Sequence, residues 1–236
     1  MATITSNLQQ QRARIAAATQ AAGRPVESVT LLVVSKTFPA DAVREAIAAG
    51  ARRFGENYVQ EGLEKIAALA DHRAQIEWHL IGPLQSNKTR LVAENFDWVH
   101  SVDRLKTAQR LSEQRPPELP PLNICLQVNT SGEASKSGVA PADLPALAAA
   151  VAQLPRLRLR GLMGVPEPTA DFETQRHAHR QLAELQHALQ QAAPGPHLAL
   201  DTLSMGMSAD LEAAIAEGAT MVRVGSAIFG ARRYAA

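Results

Sequence analysis

Eight apolar runs, separated by seven segments of helical periodicity, constrain the fold of this chain more than any other feature. The first, VTLLVVSK (29–36), is continuous and rich in valine, the composition of a strand covered on both faces. PADAVREAIAAGA (39–51) follows, with Pro39 at a helix start and Gly50 at its end. The same grammar predicts strands at 52–57, 76–82, 97–103, 122–129, 157–165, 197–205 and 221–230. Between them it predicts helices at 58–70, 87–95, 104–114, 141–153, 171–192 and 209–219, and one further helix over 3–22 precedes the first strand. Strict alternation implies parallel strands joined by helical crossovers. Eight such units in 236 residues suit an α/β fold of the (β/α)8 TIM-barrel type, typically about 250 residues long. An open doubly wound sheet is the rival, and eight strands are many for one. No compositional break divides the chain. Residues 1–236 therefore read as a single barrel domain, with residues 1–25 as an N-terminal helix packed on it.

Composition narrows the function classes. The chain is 46% hydrophobic with a formal net charge of +1, so disorder is excluded as its main state and no bulk electrostatic attraction to nucleic acid or membrane is expected. Aromatic residues make up only 4%, too few for a stacking face that reads RNA. Cys125 has no partner for an intrachain disulfide. The first residues lack the basic start and apolar run of a secretory signal, and no apolar stretch approaches the roughly 18 residues of a membrane span. A cytoplasmic protein is expected, and a monomer, since no long apolar surface helix stands out. There is no H-E-x-x-H and no cysteine cluster, so no metal site is expected. His177, His179 and His187 fall on a polar helix and read as solvated.

In barrels of this type the chemistry sits at the C-terminal ends of the strands. The residues there are Ser35-Lys36-Thr37, Glu56-Asn57, His79 and Gly82, Ser101, Asn129, Met163-Gly164, Ser204 to Ser208, and Gly225-Ser226. Of the 24 basic residues only five are lysine (Lys36, Lys65, Lys88, Lys106, Lys136), so a retained lysine is enriched for roles that need an amine. Lys36 follows LLVVS at a barrel mouth, where desolvation lowers an amine's pKa and frees its lone pair to attack a carbonyl; the alternative is a strand-end lysine reaching for water. SMGMSAD (204–210), with Ser208 as N-cap, and VRVGSAIFG (222–230) are small-residue loops after strands seven and eight. That is where such barrels cradle phosphate on backbone N–H groups, although each glycine could instead serve a tight turn. An aldehyde bearing a phosphate would bridge lysine and cradle; pyridoxal 5′-phosphate is one, and a phosphosugar in an aldolase is another. Strand alternation points Arg223 into the barrel, beside a pyridine nitrogen or in a structural ion pair. His79 reads as an acid–base group or a hydrogen-bonded core histidine, and Asn57 as a partner for a ring hydroxyl or a helix cap.

The segments VVSKTFPADAVREAIAAGARRFGENYVQE (33–61), WHLIGPLQSNK (78–88), VNTSGEASKSGV (128–139), GLMGV (161–165) and LSMGMSADLEAAIAEGATMVRVGSAIFGARRY (203–234) resemble the pyridoxal phosphate homeostasis proteins, a group related to the N-terminal barrel of alanine racemase. The resemblance runs from residue 33 almost to the end. It implies that Lys36 carries pyridoxal 5′-phosphate as an internal aldimine. It also implies that Ser208, Gly225 and Ser226 hold the phosphate, that Asn57 lies near the ring, that Met205 belongs to the cofactor-binding set, and that Arg223 lies near the ring nitrogen or the phosphate edge. Lys136, in EASKSG, matches a family lysine implicated in handling the cofactor. Two departures stand out. Phe38 occupies a position that is often lysine in the family, and the chain ends Arg232-Arg233-Tyr234-Ala-Ala instead of in lysines, so release roles of those lysines do not transfer.

The resemblance implies a binding and delivery protein for intracellular pyridoxal phosphate, with apo-enzymes as possible recipients and no turnover. The rival is an amino-acid racemase. Racemases resembling this barrel add a second domain that supplies a tyrosine base, and this chain ends at Ala236 with only Tyr58 and Tyr234. A Schiff-base phosphosugar aldolase is the third reading.

Overall fold

Residues 3–131, 137–192 and 198–230 are described by a computed structural model. Its strands are β1 (Thr30–Val34), β2 (Arg53–Glu56), β3 (Glu77–Leu80), β4 (Trp98–Val102), β5 (Leu122–Gln127), β6 (Leu157–Met163), β7 (Leu198–Ser204) and β8 (Met221–Val224). Each pairs in parallel with its neighbour in sequence, and β8 pairs with β1 to close the barrel. Helices α2 (Ala40–Ala48), α3 (Val59–Ala68), α4 (Thr89–Asn95), α5 (Leu105–Gln114), α6 (Leu144–Val151), α7 (Phe172–Ala192) and α8 (Leu211–Ala216) make the seven crossovers. The expected α/β barrel is the fold.

α1 (Ile4–Ala21) precedes β1 and is capped at its start by Thr3, which forms a reciprocal capping box with Ser6. It packs against α2 and α8, burying Leu8 and Ile15, and Asn7 Nδ2 donates to Ile228 O at 2.9 Å.

Three local expectations are corrected. The last strand stops at Val224, and Ser226–Phe229 forms a short helix, α9, in place of strand to residue 230. Gly225 turns the chain there: its carbonyl accepts from Ile228 N and Phe229 N. Ser208 is not the N-cap of α8; that residue is Asp210, and Ser208 lies in the preceding turn. His179 is not solvated but 1% exposed, because α7 turns that face onto the 204–210 loop; His177 and His187 are exposed as expected.

The apolar core lies mainly between strands and helices, where Val222 and Val224 of β8 join Leu203, Ile215 and Ile228. Alternation sends Arg223, between them, the other way. The barrel interior is correspondingly polar: His79, His100, Ser204 and Arg223 are buried there with Trp98, Cys125 and Met163. Burial pushes the Cys125 thiol up to about 12, so it stays protonated and inert.

Candidate functional site

Barrel closure brings the end of β8 beside the end of β1. Leu32 pairs with Arg223 and Val33 with Val224, so Lys36 and Ser226 leave adjacent strands on one face. Two contacts tie the segments together. Gly225 packs so closely on β1 that a Cβ there would meet Val34 O at 2.9 Å. Phe38 and Phe229 stack with ring centroids 4.8 Å apart. The phenylalanine that departs from the family's lysine thus clasps the Lys36 segment to α9.

Lys36 itself is half-buried. Its backbone is held on both sides. Ser35 Oγ donates to Glu56 Oε1 at 2.6 Å, and Ser35 O accepts from Lys65 Nζ at 2.6 Å. On the other side Thr37 N donates to Glu61 Oε1 at 2.5 Å, with Thr37 in the left-handed region at φ 69°. Asn57, one residue past β2, is half-buried, does not cap α3, and leaves its carboxamide without a partner among the described residues. Gly82 lies against it; a Cβ on Gly82 would sit 2.1 Å from Asn57 O.

The 204–210 loop is braced from three directions. Arg14 of α1 donates to Ser208 O at 2.9 Å and forks onto Glu212 at 2.5 and 2.6 Å. Asp210 Oδ1 accepts from Met207 N at 2.6 Å, and its Oδ2 takes His179 Nε2 at 3.0 Å. Gly206, at φ 87°, presents its carbonyl to Arg223 N at 3.0 Å. Met205 is fully buried, with its N–H on Met221 O at 3.1 Å, while Ser208 is half-buried and Ser226 exposed on the C-terminal face. The Ser226 and Ala227 N–H groups have no hydrogen-bond partner among the described residues. Loop and helix together offer hydroxyls and N–H donors suited to an anion.

Among the described residues Arg223 has no ion-pair partner. Nη1 donates to Ser204 O at 2.7 Å and to Ser204 Oγ at 3.0 Å, and Nη2 to Gly164 O at 2.9 Å. Burial lowers its pKa to about 10, which leaves it charged at neutral pH. A guanidinium can only donate, so Ser204 Oγ accepts from it. Behind it, His100 Nδ1 meets Ser204 Oγ at 2.9 Å and His100 Nε2 meets His79 Nδ1 at 2.9 Å. One donor direction runs along the row, Ser204 to His100 and His100 to His79; it leaves the His79 Nε2–H facing Glu77 Oε2 at 3.6 Å, beyond hydrogen-bond distance and without a partner among the described residues. Both imidazoles are neutral near pH 7: burial lowers each, opposed at His79 by Glu77 and reinforced at His100 by His79 and Arg223. His79 is thus a core histidine supporting Arg223.

Lys36, Gly225 and Ser226 are brought together, with Arg223 on the adjoining interior and Ser208 in the neighbouring loop. Lys136 lies outside the described residues. Lys65, His100, His179 and Asp210 were not singled out from sequence as site residues; only the scarcity of lysine hinted at the first. Among the described residues no group of His, Cys, Asp or Glu is arranged to hold a metal. No helix among them is long and apolar enough to cross a membrane.

Comparison with known proteins follows the same lines. The family of the alanine racemase N-terminal domain matches residues 6–233. A pyridoxal phosphate homeostasis protein of Pseudomonas aeruginosa is 66% identical over 236 residues, covering 100% of this chain and 99% of that protein. PipY of Synechococcus elongatus, a structure solved with PLP bound, is 41% identical with a TM-score of 0.84, covering 97% of this chain and 100% of that one. Alanine racemase of Corynebacterium glutamicum shares the fold alone, at 17% identity and a TM-score of 0.66, with 98% of this chain matching 62% of that one.

Burial raises the Asp210 carboxyl, but the His179 and Met207 N–H bonds outweigh it and hold the group below the usual carboxylate range. A depressed folded-state pKa stabilises the fold above the unfolded value, about 3.9, and the gain disappears as pH falls through the folded value. Asp210→Ala should therefore cost about 2 kcal/mol at pH 7. Calorimetric unfolding of both proteins between pH 7 and pH 3 should show this gap closing on acidification.

Proposed function

Because the chain belongs to the alanine racemase N-terminal domain family, and within it to the pyridoxal phosphate homeostasis proteins, we propose that it binds pyridoxal 5′-phosphate at the C-terminal mouth of the barrel and buffers and delivers it in the cytoplasm. The observation that carries this reading is the joining of Lys36 to the Gly225–Ser226 turn through Val34 and through the Phe38–Phe229 stack. The segment that carries the Lys36 amine and the candidate anion cradle are thus held side by side.

The residues fit such a ligand. When bound, the cofactor supplies an aldehyde; the Lys36 amine adds to its carbon and the carbonyl oxygen leaves as water. Ser208, Ser226 and the N–H groups of Ser226 and Ala227 hold the phosphate. Gly225 has no side chain because Val34 leaves no room for one. Asn57 serves the ring, and Met205 supports it from the buried side of the loop. Arg223, pinned by Ser204 and Gly164, would offer a charged donor to the ring nitrogen or to the phosphate edge. At the nitrogen it would oppose protonation and so weaken the ring as an electron sink. Lys136 assists transfer of the cofactor to recipient apo-enzymes, and the protein acts as a monomer.

A carrier is favoured over a racemase by end-to-end similarity to homeostasis proteins and by the open rim of the mouth. Tyr58, Val165, Phe172 and Met207 are all exposed there, so water reaches the site, where a racemase encloses its substrate. The aldolase reading shares the lysine and cradle but leaves Arg223 without a role.

Purified protein should absorb near the visible edge, and Lys36→Ala should abolish this absorption; a borohydride-fixed cofactor at full occupancy in that variant would move the attachment to another residue. Ser226→Asp sets a carboxylate against a dianion. It should weaken pyridoxal 5′-phosphate by well over tenfold, or 1.4 kcal/mol, while sparing pyridoxal; equal loss of both would reject the cradle. Holo-protein mixed with alanine in D₂O should show α-proton exchange near that of free cofactor by NMR. Rapid exchange that vanishes in Lys36→Ala would establish the racemase instead.

A further inference from the structure

Lys65, on α3, is a lysine whose ammonium has three acceptors inside the protein. Nζ lies 2.6 Å from Ser35 O, 2.7 Å from Glu56 Oε1 and 2.7 Å from Glu61 Oε1, and the side chain is 5% exposed. An ammonium has three hydrogens, and all three are used. Nineteen of the chain's 24 basic residues are arginine, yet a flat guanidinium could not meet three acceptors gathered around one point. The ion cluster is costly to bury, and burial does raise the Glu56 carboxyl against the pull of Lys65. Stability alone does not call for such a cluster, since apolar packing commonly serves as well.

All its bonds converge on the segment that carries Lys36. Lys65 holds the carbonyl of Ser35, Glu56 holds the hydroxyl of Ser35, and Glu61 holds the N–H of Thr37. Thr37 is kept in the left-handed region, which a threonine avoids unless its surroundings impose it. The residues on either side of Lys36 are thus fixed by one buried ion cluster.

We propose that Lys65, acting with Glu56 and Glu61, is a positioning residue that sets the backbone around Lys36 and so aims its amine at the aldehyde of the bound ligand. The cluster lies on the β1–β2 side of the mouth, and its bonds reach residues 35 and 37 but none in the proposed phosphate loops after β7 and β8. Its loss should therefore weaken covalent capture and leave anion binding intact. This rests on the reading that Lys36 holds the cofactor.

Two ligands separate the effects. Pyridoxal 5′-phosphate and pyridoxine 5′-phosphate share ring and phosphate, but the second carries an alcohol where the first has the aldehyde. Titration of Lys65→Met followed by absorbance and calorimetry should show at least a tenfold loss for the aldehyde and less than a twofold change for the alcohol. Equal losses for both, or none for the aldehyde, would overturn the proposal. If Lys65→Met fails to fold by circular dichroism, Glu61→Ala decides. Glu61 is one-quarter exposed, and its removal frees Thr37 N without emptying the core. The same split between ligands is expected there, at smaller amplitude; its absence would overturn the proposal. Wild-type protein that binds both ligands equally and yields no borohydride-fixed adduct on Lys36 would refute the covalent reading itself. A wild-type preference for the aldehyde that survives in both variants would refute only the positioning role.

Discussion

Everything at the mouth depends on the closure of β8 onto β1. In an open sheet these would be opposite edges, and the residues after them would lie a full sheet width apart. Closure puts Lys36 and Gly225 on neighbouring strand ends, and the absence of a side chain at Gly225 lets the backbones touch. The proposed covalent handle and the proposed anion cradle then lie side by side. The Phe38–Phe229 stack fastens them again outside the ladder, at a position where the family often carries a lysine. A residue that looked like a loss of function in the sequence has a structural use.

The interior of the barrel is arranged around a cation. Arg223 is buried without a carboxylate partner and is satisfied by the carbonyls of Ser204 and Gly164. Carbonyl acceptors hold it in place without neutralising it, so its field still acts on whatever lies above. The neutral His100 and His79 continue the row towards Glu77, whose carboxylate faces the last N–H at 3.6 Å without a hydrogen bond. The same logic recurs around the loops: His179 and Asp210 brace one side of the anion cradle, and Lys65, Glu56 and Glu61 brace the lysine side. Each brace joins a helix to a strand end, so the site's geometry depends on how the outer helices sit.

Strand and helix order were legible because each strand carries a short apolar run packed against the helices and each crossover helix an apolar face towards the strands, a pattern that survives without coordinates. That Lys36, Gly225 and Ser226 lie near one another was legible because they follow the first and last strands, which become neighbours once a barrel closes. His179 was misread: its neighbours on α7 are polar, and a single inward position on a long polar helix leaves no periodic mark. The final strand was read six residues too long because Ala227, Ile228 and Phe229 are as apolar as a strand, and only Gly225 marks the break.

What the sequence by itself determined was the barrel, and with it a candidate face and a candidate chemistry, since these follow from local pattern and residue type. Tertiary structure decided which polar groups serve which. Lys65, Glu56 and Glu61 lie up to nine residues apart in sequence, and nothing in their spacing says that they clamp residues 35 and 37; α3 must first dock against β1 and β2. Likewise Arg223 meets Ser204 and Gly164 only after three strands are placed side by side. Hydrogen bonds are short-ranged and directional, so their partners are set by packing at the ångström scale, which hydrophobic periodicity does not encode.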